Sequence, residues 1–271
     1  MDGMDIKSKN KISMKNILLI SAILLCINSF ANTKQKPRDY YITQVYHCST
    51  QSQLESVDSY LKNSYLPHLH QFGISDVGVF EPINNDTSKD KTILVWIPLT
   101  SLKQLDQLDQ LKEAIDPLKS DPLLSLTTTN GALPYNRVET TISKSFKFQG
   151  QYQKKISFTK SPDNIYEFRS YESVDEAMFL KKVHMFNEGK EIQLFKALNF
   201  NALFYSKVIA GSRMPNLIYI TRFQNIADRE AHWKSFVDAP AWKQMSTLPE
   251  YLNTVSKSDI ILMRAKSYSD L

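Results

Sequence analysis

The sequence predicts an α+β fold in which two successive β-α-β-β-α-β units place their antiparallel sheets face to face, with helices outside. Three observations predict it. Strand-like runs recur at a nearly constant offset, since Gln44 against Arg169 and Val95 against Ile220 are both 125 positions apart. Helical stripes with capping signals fall between corresponding strands in both halves. Finally, several strands carry large apolar side chains on both faces, so neither face of a sheet can be left to water.

The first unit spans residues 40–148 and opens with "YYITQVYHC", an aromatic-rich strand. Ser52 with Glu55 reads as a capping box for a helix that places Leu54, Val57, Leu61, Leu69 and Phe72 on one stripe. That helix should stop at Gly73 and be kinked or broken near its end by Pro67. Paired strands "DVGVFEPI" and "KTILVWIPL" follow. Ser101 with Gln104 then starts a helix carrying Leu102, Leu105, Leu108 and Leu111, and "RVETTISKSF" closes the unit.

A polar, lysine-rich linker over 149–163 leads to the second unit, 164–268, which repeats the order. "IYEFRSYES" is its first strand, and Ser173 with Glu176 caps a helix bearing Phe179, Val183, Phe186, Ile192 and Phe195, interrupted at Gly189. "NALFYSKVI" and "NLIYITRF" pair next. Asn225 caps the second helix, with Ile226, Trp233, Phe236 and Val237 toward the sheet and Asp228, Arg229 and Glu230 toward solvent. Ala239 precedes a proline and avoids helical geometry, which ends the helix and lets Trp242 pack the corner. "SDIILMRAKSY" is the last strand. Each half is thus a split, ferredoxin-like unit covering one sheet face with two helices. A tandem repeat of it can close a barrel with itself, which predicts a monomer or a weak homodimer.

The chain has 271 residues, 42% of them hydrophobic and 23% charged, with a formal net charge of +5. Lys7, Lys9, Lys11 and Lys15 against Asp2 and Asp5 put part of that charge in the first residues, and the rest is scattered. No basic run remains to engage nucleic acid. The basic head, the apolar run Ile17 to Ile27 and Ser29-Phe30-Ala31 read as a signal peptide over residues 1–31. An export route to the periplasm or the extracellular space follows, with no stable membrane span after cleavage; an uncleaved N-terminal anchor is the alternative. Cys48 would then be the one remaining cysteine, a small filler at a strand end rather than a nucleophile.

The runs "IYEFRSYES", "KVHMFNEGKEIQLFKALNFNALFY", "IAGSRMPNLIYITRF" and "ADREAHWKSFVDAPAWKQM" resemble the NIPSNAP family, more closely its two-repeat exported bacterial members. The likeness continues more weakly through "YYITQVYHCSTQSQLESVDSYLKNSYLPHLHQFGISDVGVF". It implies the dimeric α/β-barrel architecture. It brings no catalytic residues.

The residues themselves name no reaction. Phosphate-binding loops, H-E-x-x-H, C-x-x-C and G-x-S-x-G are all missing from the sequence, so no cofactor and no metal is expected. His68 and His70 are two apart and would diverge on a helix; His184 and Glu188 are four apart and form a helical pair or two ligands in want of others. The strongest candidates are Glu167, Arg169 and Tyr171, which alternate onto one strand face and are expected to point into the barrel as an ion pair or a ligand site. Arg213, on the turn "GSRMPN", either grips an anion or bonds backbone carbonyls. Two function classes result: a non-catalytic module with a barrel-interior pocket for a small ligand or a protein, or a cofactor-independent oxygenase or isomerase. Export makes one direct prediction: intact mass of the protein from its native envelope should correspond to cleavage after Ala31. A mass that retains Ile17 to Ile27 overturns it.

Overall fold

Alternating side chains give the first strand, β1 (Tyr40–Cys48), two dry faces. Tyr41 belongs to one apolar cluster and Ile42, Tyr46 and Cys48 to another. The computed structural model describes residues 37–114, 132–152 and 158–271. The expected leader, the side chain of Leu111 and part of the linker lie outside the described residues.

After β1 come α1 (Gln51–Tyr60), a π-helical turn (Leu61–Tyr65) and α2 (Leu66–Gln71). The wide turn accommodates Pro67, which has no N–H to give to the ladder, so the helix continues where a kink or break was expected. It stops at Gly73, whose φ of +75° suits a residue without Cβ. Next are β2 (Gly78–Pro82), β3 (Lys91–Leu99), α3 (Gln104–Ala114) and β4 (Arg137–Ser145). Then follow β5 (Ile165–Glu172), α4 (Glu176–Phe186), α5 (Glu191–Ala197), β6 (Asn201–Ala210), β7 (Asn216–Phe223), α6 (Ile226–Asp238), α7 (Pro240–Ser246) and β8 (Lys257–Ala265). Among the described residues no helix is long and apolar enough to cross a membrane.

The eight strands form one closed antiparallel barrel in the order β1-β3-β2-β8-β5-β7-β6-β4. The two facing sheets close into the expected barrel and are continuous in a single wall. Two seams join its halves: β2 with β8, where Phe80 meets Ala265, and β4 with β6, where Ser145 meets Ser206. The second seam is bulged between Ile142 and Ser143, and the Ser206 hydroxyl donates to Ser143 across it at 2.9 Å.

Inside the barrel, Trp96 stacks on Phe204 with centroids 5.2 Å apart, Tyr41 meets Phe204 at 4.6 Å, and Phe80 meets Tyr166 at 4.8 Å. Outside it, two helical layers each cover a strand face. The first packs Leu54, Val57, Leu61 and Leu69 on Ile42 and Tyr46. The second packs Phe179, Phe186, Phe195 and Phe236 on Tyr205 and Tyr219. Cys48 is fully buried in the first layer, and burial pushes its thiol up to about 11, as suits a filler.

Several local expectations shift. The first capping box is Thr50 with Gln53, two residues early, because Ser52 already lies in helix and its carbonyl accepts from the Ser56 hydroxyl. Asp175, not Ser173, caps α4; the Ser173 hydroxyl donates instead to the Thr254 carbonyl at 2.6 Å. Asn225 caps α6 as expected, accepting from the Asp228 N–H at 2.9 Å. Ile226 and Val237 are exposed, because the helix presents a narrower face of Trp233 and Phe236. Gly189 does more than interrupt a helix. A Cβ there would lie 2.6 Å from the Met185 carbonyl and 2.7 Å from the Tyr251 hydroxyl.

Closure generates a prediction. Residues 160–271 expressed alone free the β6 and β8 edges, each normally paired across a seam. Sedimentation should show a dimer or aggregate; a well-behaved monomer would contradict the importance of the seams.

Candidate functional site

Strand β5 aims Tyr166 and Phe168 at the barrel interior and Glu167, Arg169 and Tyr171 at the helices. The inward orientation expected for Glu167, Arg169 and Tyr171 is therefore corrected. The reason is physical: the aromatic side chains of alternate positions fill the barrel, and the polar set finds partners on α6 instead.

Glu167 is fully buried. One carboxylate oxygen accepts from Arg169 Nε; the other accepts from Arg229 Nε at 2.6 Å and from Trp233 Nε1 at 2.9 Å. Arg169 also donates to the Tyr171 hydroxyl at 2.8 Å, and its guanidinium lies 3.7 Å from the centre of the Trp233 ring. Tyr171 in turn meets the Tyr219 hydroxyl at 3.0 Å. Burial pulls the Arg169 pKa down, but Tyr219, Tyr171 and Glu167 outweigh it and hold the guanidinium above its ordinary value. Arg169 is a fixed cation.

Beside this knot lies a second buried pair: Lys182 on α4 donates to Glu191 on α5 at 3.1 Å. Burial pushes the Glu191 carboxyl up, against the opposing pull of Lys182 and Arg169. The two groups line a solvent-open cleft of about 470 Å³ between α4, α5, α6 and the outer face of the sheet. Trp233, Trp242, Phe195 and Tyr219 supply its aromatic walls. Arg169, Lys182 and Arg229 face Glu167 and Glu191, so three cations meet two carboxylates and one positive charge is left over.

Of the predicted site residues, the structure gathers Arg169 and Tyr171 into the cleft, with Glu167 behind them. It places the other two elsewhere. His184 Nδ1 meets the Tyr251 hydroxyl at 2.9 Å, while Glu188 lies 3.6 Å from Lys147; α4 ends at Phe186, which breaks their helical spacing. Arg213 pairs with Glu172 and Asp259, so the anions it grips are the protein's own and not backbone carbonyls. Lys182, Glu191 and Arg229 were not legible as site residues, yet two carried a signal. Lys182 stands three after Phe179 and four before Phe186, and Glu191 four before Phe195. Each is a charge on an apolar stripe.

The barrel interior holds a separate, more enclosed cavity of about 250 Å³ at the end where β1 finishes. Arg213 is the predicted residue in its wall. Among the described residues no group of three or more His, Cys, Asp or Glu could hold a metal ion.

An eight-stranded closed barrel with helices outside defines the dimeric α/β-barrel class, and solved structures agree. A provisionally named monooxygenase from Lactobacillus acidophilus superposes with a TM-score of 0.52 at 10% identity, covering 84% of this chain and 94% of its own. One from Fusobacterium nucleatum gives 0.53 at 6%, covering 84% and 92%. An anthrone oxidase-like protein gives 0.51 at 10%, covering 86% and 93%. At such identities the likeness is one of fold alone. Within that class, residues 166–270 match the NIPSNAP family model and form a NIPSNAP domain. No curated protein matches the chain in sequence.

The Glu167 knot yields a prediction. Glu167→Gln removes the one negative charge that two guanidiniums share and should lower the unfolding free energy by roughly 3–5 kcal/mol, the usual result of breaking a buried pair. Urea denaturation checks it; a loss below ~1 kcal/mol would mean that solvent already screens the cluster.

Proposed function

We propose that the chain is an exported ligand-binding module whose helix-sheet cleft takes a small planar anion, an aromatic carboxylate or phenolate. The observation that carries this reading is the uncompensated positive charge among Arg169, Lys182 and Arg229, set between the Trp233 and Trp242 rings. Indole faces bury a flat apolar body, and fixed guanidiniums orient its charged end at little entropic cost. The element order, read twice along the chain, supports a tandem ferredoxin-like duplication in which only the second half carries the cleft. One chain closes the barrel, which supports a monomer.

A second reading, a cofactor-independent oxygenase acting on a small aromatic, is favoured by the same cations. They would stabilise a phenolate, the electron-rich form that can pass electrons to O₂, and the structural relatives named as monooxygenases share the fold. Oxygen uptake with quinols separates the two readings.

For binding, calorimetry with benzoate and salicylate should show saturable uptake, with benzyl alcohol much weaker. Arg229→Gln removes the excess charge and should weaken benzoate by roughly tenfold or more, the worth of one charge-assisted hydrogen bond. Equal affinity for benzyl alcohol and benzoate, or no effect of Arg229→Gln, would refute an anion site.

A further inference from the structure

The barrel-interior cavity has a different chemistry from the cleft. Its apolar body is made by Val45, Leu94, Phe168, Ile218 and Met263. At its mouth His47, on β1, is buried, and its Nδ1 lies 2.8 Å from Asp90 Oδ2. A carboxylate can only accept, so Nδ1 donates to Asp90, and in the singly protonated ring Nε2 is then the acceptor. That Nε2 is buried without a partner. Glu139 Oε2 stands 3.9 Å away, too far to bond it and near enough for one ammonium to donate to both. Thr43, also in the wall and buried, has a hydroxyl with no partner. Both nearby guanidiniums are already engaged: Arg213, in the wall, by Glu172 and Asp259, and Arg137 by Glu139 Oε1, the oxygen other than the one near His47.

Acceptors therefore converge on a pocket that keeps a net negative charge, since Glu139 is paired with Arg137 but Asp90 has no cationic partner among the described residues. We propose that the barrel interior is a second ligand site, selective for a small primary amine whose ammonium bridges His47 Nε2 and Glu139 while its apolar part occupies the space beside Phe168. The volume of about 250 Å³ falls just below the ~300 Å³ at which ligand pockets ordinarily begin, which limits the occupant to a compact alkyl- or arylalkylamine. A neutral alcohol of the same shape has one donor and cannot reach both Nε2 and Glu139 Oε2, and an anion meets a mouth of acceptors whose nearby guanidiniums are already paired. Interior amine and cleft anion are independent of each other, since no residue lines both cavities.

Titration of the full-length chain with phenethylamine, 2-phenylethanol and phenylacetate tests this. Saturable binding is expected for the amine, roughly tenfold or more weaker binding for the alcohol, and none for the acid. Glu139 is half-exposed at the end of β4, so Glu139→Gln should fold normally and weaken the amine by a similar factor. Arg229→Gln should leave it unchanged. In nitrogen NMR spectra, assigned through His47→Gln, the amine should move the His47 Nε2 resonance. Absence of saturable amine binding, equal affinity for the alcohol, indifference to Glu139→Gln, or a His47 resonance that stays in place would each overturn the proposal.

Discussion

Barrel closure is the constraint on which the rest of this structure depends. With β2 sealed to β8 and β4 to β6, no described strand has a free edge, and β1, β3, β5 and β7 are covered on both faces. Every side chain on those four strands must find a place either in the narrow interior or under a helix. Aromatic packing decides the assignment. Trp96, Phe204, Tyr41, Phe80 and Tyr166 fill much of the interior, and space remains near the end where β1 finishes. Polar side chains on the same strands are then committed to the helix side, where partners can be brought to them.

Glu167 shows what that commitment entails. A carboxylate with no exposure is tolerable only if its oxygens are satisfied and its charge offset. Two guanidiniums and an indole N–H do both, and two of these three donors, Arg229 and Trp233, come from α6. The knot thus ties a helix to the barrel wall while over-supplying positive charge beside a cleft. Stability and a candidate binding property are consequences of one cluster.

Much of the fold was legible in the sequence, because the strands alternate strongly and the helical stripes are clean. All eight strands fall where their aromatic and β-branched runs predict. Caps were less secure. Thr50-x-x-Gln53 and Ser52-x-x-Glu55 overlap in sequence, and only the extended backbone at Thr50 decides between them. The site was half legible. Alternation correctly put Glu167, Arg169 and Tyr171 on one face, but period two carries no information about which face is inside. That was decided by residues far away in sequence, the interior aromatics of β3 and β6. Arg229 was read as solvated because it lies on the polar side of α6; a long side chain can reach back beneath its own helix, and helical periodicity cannot see that.

The asymmetry between the two helical layers is the feature from which a specific function can be argued. At the offset of 125, Ile42, Gln44 and Tyr46 occupy the positions of Glu167, Arg169 and Tyr171. Under the first layer those residues are buried among aliphatic side chains, and Gln44 needs only the Tyr65 hydroxyl, which donates to it at 3.1 Å. Under the second, five charges and two tryptophans surround open space. An architecture that can fill such a position with leucine and valine has no structural need of buried ions there. Pairs of buried charges are, as a rule, no better for stability than the apolar residues that could replace them. The charges under the second layer are therefore the feature on which the proposed ligand site rests, while the apolar packing under the first supports the barrel wall.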